Sequence, residues 1–177
     1  YELLDRLRRL FPDSGLDNDV KRIEALKASK DAFNEAQYLE ESGEAAGAVR
    51  RYSAVIADDT NYEAAQKQIE AVRAAYKEQV LEEAQALADS KDYRGAEALL
   101  LNSSDVLGDD ADITAKLEEL KKAELDDYVG SLLKTAQGFA DEGDYAGAIQ
   151  LLEDATKEDE RFTKQIEAYK SQYKEAV

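Results

Sequence analysis

Cysteine, histidine, methionine and tryptophan are all absent from this chain, and proline occurs once, at Pro12. Without cysteine there are no disulfides and no thiolate metal sites. Losing histidine as well removes the usual zinc ligands and the usual general base of a nucleophilic triad. No Gly-rich phosphate loop and no nucleophile elbow occurs, so the sequence predicts no enzyme, no cofactor and no metal. No apolar run approaches the roughly 20 residues that a membrane-spanning helix needs. Cations are also scarce: 23 Lys and Arg face 40 Asp and Glu over 177 residues, a formal charge of −17. Such a balance repels phosphate backbones and anionic headgroups, which argues against nucleic acid and for a basic protein or peptide as partner.

What is present is helix-forming composition. Ala, Leu, Glu, Lys and Gln dominate, and β-branched runs are few. Three long helices are expected, over about 19–42, 62–90 and 111–142. Short ones are expected over about 44–57, 93–102 and 145–157, with an opening helix over 1–11 closed by Pro12 and a last helix from about Arg161. The segment 103–110 reads as a loop. Eight helices result, and no sheet.

The organising feature is a repeat. Glu35-Ala36-Gln37, Glu83-Ala84-Gln85 and Thr135-Ala136-Gln137 each run on into Gly47-Ala48, Gly95-Ala96 and Gly147-Ala148. The shared alanines at 36, 84 and 136 lie 48 and then 52 residues apart. A pattern returning at such a period predicts one supersecondary unit stacked on itself. The four-residue difference is close to one helical turn, so the insertion lengthens the third long helix without much rotation. Gln68-Ile69-Glu70-Ala71 recurs as Gln165-Ile166-Glu167-Ala168, so the last helix matches the first half of a long one, with Val177 in the place of Val80. The boundaries read as a partial module over 1–18, modules over about 19–60, 61–110 and 111–160, and a trailing helix over 161–177.

The run Gly143-Asp144-Tyr145 followed by Gly147-Ala148-Ile149 resembles the turn and second helix of a tetratricopeptide repeat. Lys91-Asp92-Tyr93 with Ala96 and Leu100, and Gly43 with Ala48, Tyr52 and Val55, are similar. Ala36, Ala84 and Ala136, with Leu39, Leu87 and Phe139 three residues on, match the family's first helix. The chain departs from the family in its longer period, against about 34 residues, and in lacking the proline after each second helix. Thr60 and Glu160 stand there instead. The resemblance implies an all-α, right-handed superhelical solenoid of tetratricopeptide-like hairpins with elongated first helices, acting as a non-catalytic interaction scaffold.

The resemblance also assigns faces. Gln37, Gln85 and Gln137 would line the concave groove, with Phe33, Leu81 and Leu133 four residues earlier. They would form an amide ladder for an extended peptide or partner helix, with apolar residues receiving its side chains. The competing reading has each glutamine bonding a neighbouring module or facing water. The family's dicarboxylate clamp retains only Lys30 here, so capture of a chaperone C-terminus is not expected. Gly47, Gly95 and Gly147 each cost helix propensity, and close approach of short to long helix is the expected reason.

Tyr93 and Tyr145 match the turn tyrosine. Tyr38, Tyr62, Tyr76, Tyr128, Tyr169 and Tyr173 read as interface anchors or as half-buried packing. The acidic clusters around Asp13, Asp17 and Asp19 and around Asp109, Asp110 and Asp112 do not fit a calcium loop and read as helix caps. Asn102-Ser103-Ser104 matches a glycosylation sequon on three residues only. A structural or self-assembling role in a cell envelope is the alternative function. The chain opens on Tyr1, which leads to the expectation of a preceding segment tethering an extracytoplasmic bacterial domain, with a cytoplasmic setting as the alternative.

Overall fold

The computed structural model describes residues 2–11, 16–155 and 157–176. Pro12, Asp13 and Val177, which the sequence reading used, lie outside them. The fold is all-α, with no strand among the described residues. The helices are α1 (Glu2–Leu10), α2 (Leu16–Glu41), α3 (Ala45–Tyr52), α4 (Tyr62–Asp89), α5 (Tyr93–Asn102), α6 (Ser104–Leu107), α7 (Ala111–Asp141), α8 (Tyr145–Glu153) and α9 (Glu160–Ala176).

Two expectations need correction. The segment expected as a loop over 103–110 contains the single turn α6, because Val106 is buried and Ser103, itself fully buried, closes the turn through its own carbonyl. The short helices α3 and α8 end earlier than expected, at Tyr52 and Glu153.

Each long helix turns into its short partner through the same corner. In the first, Gly43 N donates to the Glu40 carbonyl and Glu44 N to the Leu39 carbonyl, and Gly43 has φ +77°. Gly143 repeats this at φ +85° with the carbonyls of Ala140 and Phe139. These paired bonds form the Schellman arrangement, which demands a left-handed residue at its pivot. The corner between α4 and α5 has the same bonds, to Ala88 and Leu87, but its pivot is Lys91 at φ +68°.

Two short helices, α5 and α8, start on capping carboxylates, whereas Glu44 makes no such bond at the start of α3. Asp92 accepts from Gly95 N at 3.0 Å and Asp144 from Gly147 N at 2.9 Å. A Cβ on Gly95 would stand 2.4 Å from Asp92 Oδ2, and one on Gly147 would stand 2.3 Å from Asp144 Oδ2. At these two positions the glycine accommodates its own capping carboxylate rather than a neighbouring helix. Only at Gly47 is the nearest atom on the long helix, Leu39 Cδ1 at 3.2 Å.

The core falls into three clusters in chain order. The first joins Ala36 of α2, Ala48, Val49 and Tyr52 of α3, and Ala65, Ile69 and Val72 of α4, with Val55 and Val106. The second joins Val80 and Ala84 of α4 to Ala96 and Leu100 of α5 and to Ile113 and Leu120 of α7. The third joins Val129, Ala136 and Ala140 of α7 to Ala148 and Leu152 of α8 and to Phe162 and Tyr169 of α9.

The long helices α4 and α7 therefore each belong to two clusters. In each, the N-terminal half closes the hairpin before it and the C-terminal half opens the next. At 28 residues α4 is about 42 Å long, enough for both tasks. The helix α9 performs only the closing half.

A third signature accompanies this division and was missed in the sequence. Asp59, Asp110 and Asp159 each precede a closing half. Tyr62, Ile113 and Phe162 follow three residues on, and Ile69, Leu120 and Tyr169 ten residues on. Those last three are all buried. Each aspartate accepts from the backbone at the start of its helix: Asn61 N, Asp112 N and Arg161 N, all at 2.9 Å. The signal was available in the sequence. Its spacing of 51 and 49 residues differs from that of the alanines because the connecting segments differ in length.

Candidate partner-binding surface

The six repeat alanines, Ala36, Ala48, Ala84, Ala96, Ala136 and Ala148, are each 0 % exposed. Small residues at these points let the two helices of a hairpin approach closely, and this fixes which faces of α2, α4 and α7 turn outward. Gln37, Gln85 and Gln137, one residue on, are all exposed.

Two of the three glutamines are engaged within the protein. Gln85 donates to Asp89 Oδ1 at 2.7 Å, and its carbonyl accepts from Lys116 Nζ of α7. Gln137 donates to Asp141 Oδ1 at 2.7 Å and accepts from the Tyr169 hydroxyl of α9 at 3.2 Å. These amides tie α4 to α7 and α7 to α9.

The apolar residues expected beside them divide. Phe33 is half-buried, packed edge-on to Tyr52 with centroids 5.6 Å apart, and belongs to the first core. Leu133 packs against the third core. Leu81 packs against the second core and also shares a groove with its glutamine. Leu81 and Gln85 of α4 and Asp112, Ala115, Lys116 and Glu119 of α7 line an open cleft of about 390 Å³.

A second, more apolar cleft of about 350 Å³ lies where α2 turns into α3 against α4. It is lined by Glu40, Gly43, Ala45, Ala71, Val72, Ala75, Tyr76 and Gln79. Its rim is braced by a polar relay that sequence periodicity does not reveal. The buried Tyr52 hydroxyl donates to Glu40 Oε2 at 2.6 Å, and Gln68 Nε2 donates to Glu40 Oε1 at 2.6 Å. One carboxylate thereby joins α2, α3 and α4. Burial first, and then the hydrogen bond to Glu40, push the Tyr52 hydroxyl's pKa far above its ordinary value.

Several cations form joints between helices. Lys77 of α4 bridges Asp110 at 3.2 Å and Asp112 at 2.7 Å. Lys91 reaches Asp127 at 2.6 Å, and Arg161 of α9 reaches Asp126 of α7 at 2.8 Å while holding Asp159 at 2.8 Å. Hydrogen bonds to Asp112 and Asp110 raise the Lys77 pKa.

The capping aspartates shift the other way. The Arg161 guanidinium and amide bring Asp159 down to about 2. The Ser29 hydroxyl and the Asn61 amide lower Asp59, whose Oδ2 is enclosed without a well-formed hydrogen bond. For Asp110, partial burial opposes ionisation, but the amides of Ile113 and Asp112 and the Lys77 ammonium outweigh it.

The tyrosines sort into both roles. Tyr52 and Tyr169 are core, and Tyr62, Tyr76, Tyr93 and Tyr145 pack partly buried against the clusters. Tyr128 meets Phe162 edge-on at 6.4 Å under Lys157 Nζ. Tyr38 and Tyr173 stand outward, 68 % and 49 % exposed. Among the described residues no three Asp or Glu side chains converge on a point that could hold a metal ion, and no helix is long and apolar enough to cross a membrane. Compared with known protein families, curated proteins and solved structures, the chain matches none of them.

Proposed function

We propose that this chain is a non-catalytic protein–protein interaction scaffold. In this reading it is an α/α superhelical solenoid of tetratricopeptide-like hairpins that takes a basic peptide or partner helix on the outward face of its long helices. The observation that carries the reading is the helix sharing. Because α4 and α7 each serve two cores, their outward faces are held in fixed register, and the cleft between them stays open. That cleft offers Leu81 and Ala115 as an apolar floor, with Asp112 and Glu119 at its rim. These pair with Lys77 and Lys116 of this chain but stay 66 % and 64 % exposed, so a partner's Lys or Arg beside an aliphatic residue joins an existing ion pair rather than an empty carboxylate. The charge of −17 favours such a partner at long range. Gln85, tied to Asp89 and Lys116, forms the wall of the cleft and is not a free rung of an amide ladder.

The test is an array of basic amphipathic peptides, followed by fluorescence anisotropy on the hits. Ala115→Arg, on an exposed position, and Leu81→Glu are expected to weaken binding at least tenfold, about 1.4 kcal/mol. Failure of every basic peptide to bind, or binding indifferent to both variants, would overturn the reading.

A further inference from the structure

We infer that this protein associates head to tail, α1 of one copy seating in the cleft between α2, α3 and α4 of another. Two surfaces on the same chain carry the inference, which goes beyond the scaffold reading and does not rest on it.

The first is α1. Leu3, Leu7 and Leu10 fall on one helix face at i, i+4 and i+7 and are 73 %, 36 % and 67 % exposed, although α1 packs on α2. A row of exposed leucines on one helix is the kind of apolar patch that marks an interaction site. The same nine residues carry Arg6, Arg8 and Arg9 against Glu2 and Asp5. This helix is net positive in a chain of charge −17.

The second is the cleft. Ala71, Ala75 and Gln79 form an i, i+4, i+8 row on α4, with Val72 and Tyr76 beside them and Ala45 opposite. The small side chains of Ala71 and Ala75 leave a groove along this row against which the ridge of leucines on α1 packs. Glu40 lies at its edge, and Glu41 and Glu44 flank the corner at Gly43, so the rim is acidic where α1 is basic. The fit is apolar along the centre and complementary in charge at the margins.

Within one copy the two surfaces do not meet. α1 precedes α2, whereas Glu40 lies about 36 Å along α2 from its start. The surfaces differ, so the contact is heterologous. It propagates into an open chain, or a ring if the rotation closes. An anionic membrane is the poorer occupant for α1, because the body behind it is strongly acidic.

Sedimentation velocity from low micromolar to several hundred micromolar tests this, with low and high salt as separate arms. The expected result is a mass that rises with concentration past the dimer and falls back in high salt. Leu7→Asp removes the ridge and Ala75→Arg fills the groove. Both positions face solvent, and unchanged helical circular dichroism confirms that the variants fold. Each variant alone is expected to remain monomeric. Their mixture is expected to form a 1:1 dimer and stop there, since Ala75→Arg still offers α1 and Leu7→Asp still offers the cleft. A monomeric wild type at every concentration, variants that associate like wild type, or a mixture that fails to dimerise would overturn the inference. So would co-sedimentation of the monomer with phosphatidylserine vesicles that Leu7→Asp abolishes.

Discussion

Replacing Tyr52 by Phe isolates one hydroxyl. The ring is 0 % exposed and keeps its edge contact with Phe33, so no cavity opens. What is lost is the 2.6 Å hydrogen bond to Glu40, which leaves that half-buried carboxylate with Gln68 as its remaining donor. A hydrogen bond to a charged group contributes about 1.5–3 kcal/mol. At roughly 2–4 °C per kcal/mol for a domain of this size, the melting temperature should fall by about 3–12 °C. Thermal and urea unfolding followed by far-ultraviolet circular dichroism measure both quantities.

The pH dependence provides a second reading of the same hydroxyl. The folded state raises the Tyr52 pKa, chiefly by burial, so it keeps a proton that the unfolded chain releases. The stability this represents is fully present below pH 10, and it declines as pH rises above that value. Wild type should therefore lose stability more steeply than Tyr52→Phe above pH 10. A destabilisation below about 0.5 kcal/mol at neutral pH, together with parallel alkaline slopes, would refute the claim that this carboxylate joins three helices.

On the acid side the sign reverses. Asp59, Asp110 and Asp159 have folded pKa values below their ordinary one, so their contribution is present above pH 4 and should be lost as pH falls, down to about 2 for Asp159. Melting temperatures between pH 6 and pH 2 should show this, and Asp159→Asn should flatten the decline. Lys91→Gly relieves a left-handed lysine, which costs about 1–2 kcal/mol, at the expense of a surface ion pair to Asp127. Chemical denaturation should show an unchanged or higher midpoint, and a clear drop would mean that the ion pair dominates the corner. Ala148→Leu overpacks the junction of α7 and α8 and should cost about 1–3 kcal/mol, whereas Ala146→Leu on the exposed face of the same helix should stay within about 0.5 kcal/mol.

Much of the fold was legible because helix signals are local. The glycines at 43 and 143 mark left-handed corners, and the alanines at 36, 84 and 136 sit where two helices touch. The corner at Lys91 was harder to read, because its residue type does not advertise a positive φ, yet its hydrogen bonds match the other two. The turn α6 does not show in the sequence because it depends on burial of Ser103 and Val106, the latter in the first core beside α4, which is a tertiary effect. The glutamines illustrate a readable signal passed over. Gln85 with Asp89 and Gln137 with Asp141 are i, i+4 pairs, a spacing that already favours bonding along the helix. The joint at Glu40 links residues 12 and 28 positions away and leaves no periodic trace.

Sharing α4 and α7 each between two cores is the claim on which the rest depends, and hydrogen exchange read by mass spectrometry reaches it most directly. Ile69→Ala truncates a buried side chain in the closing half of α4, at a cost of about 2–5 kcal/mol. Under native conditions faster exchange is expected in α3, in the C-terminal half of α2 and in residues 62–76, while α8 and α9 stay protected. Unchanged protection of α3 alongside faster exchange along the whole of α4 would contradict the claim.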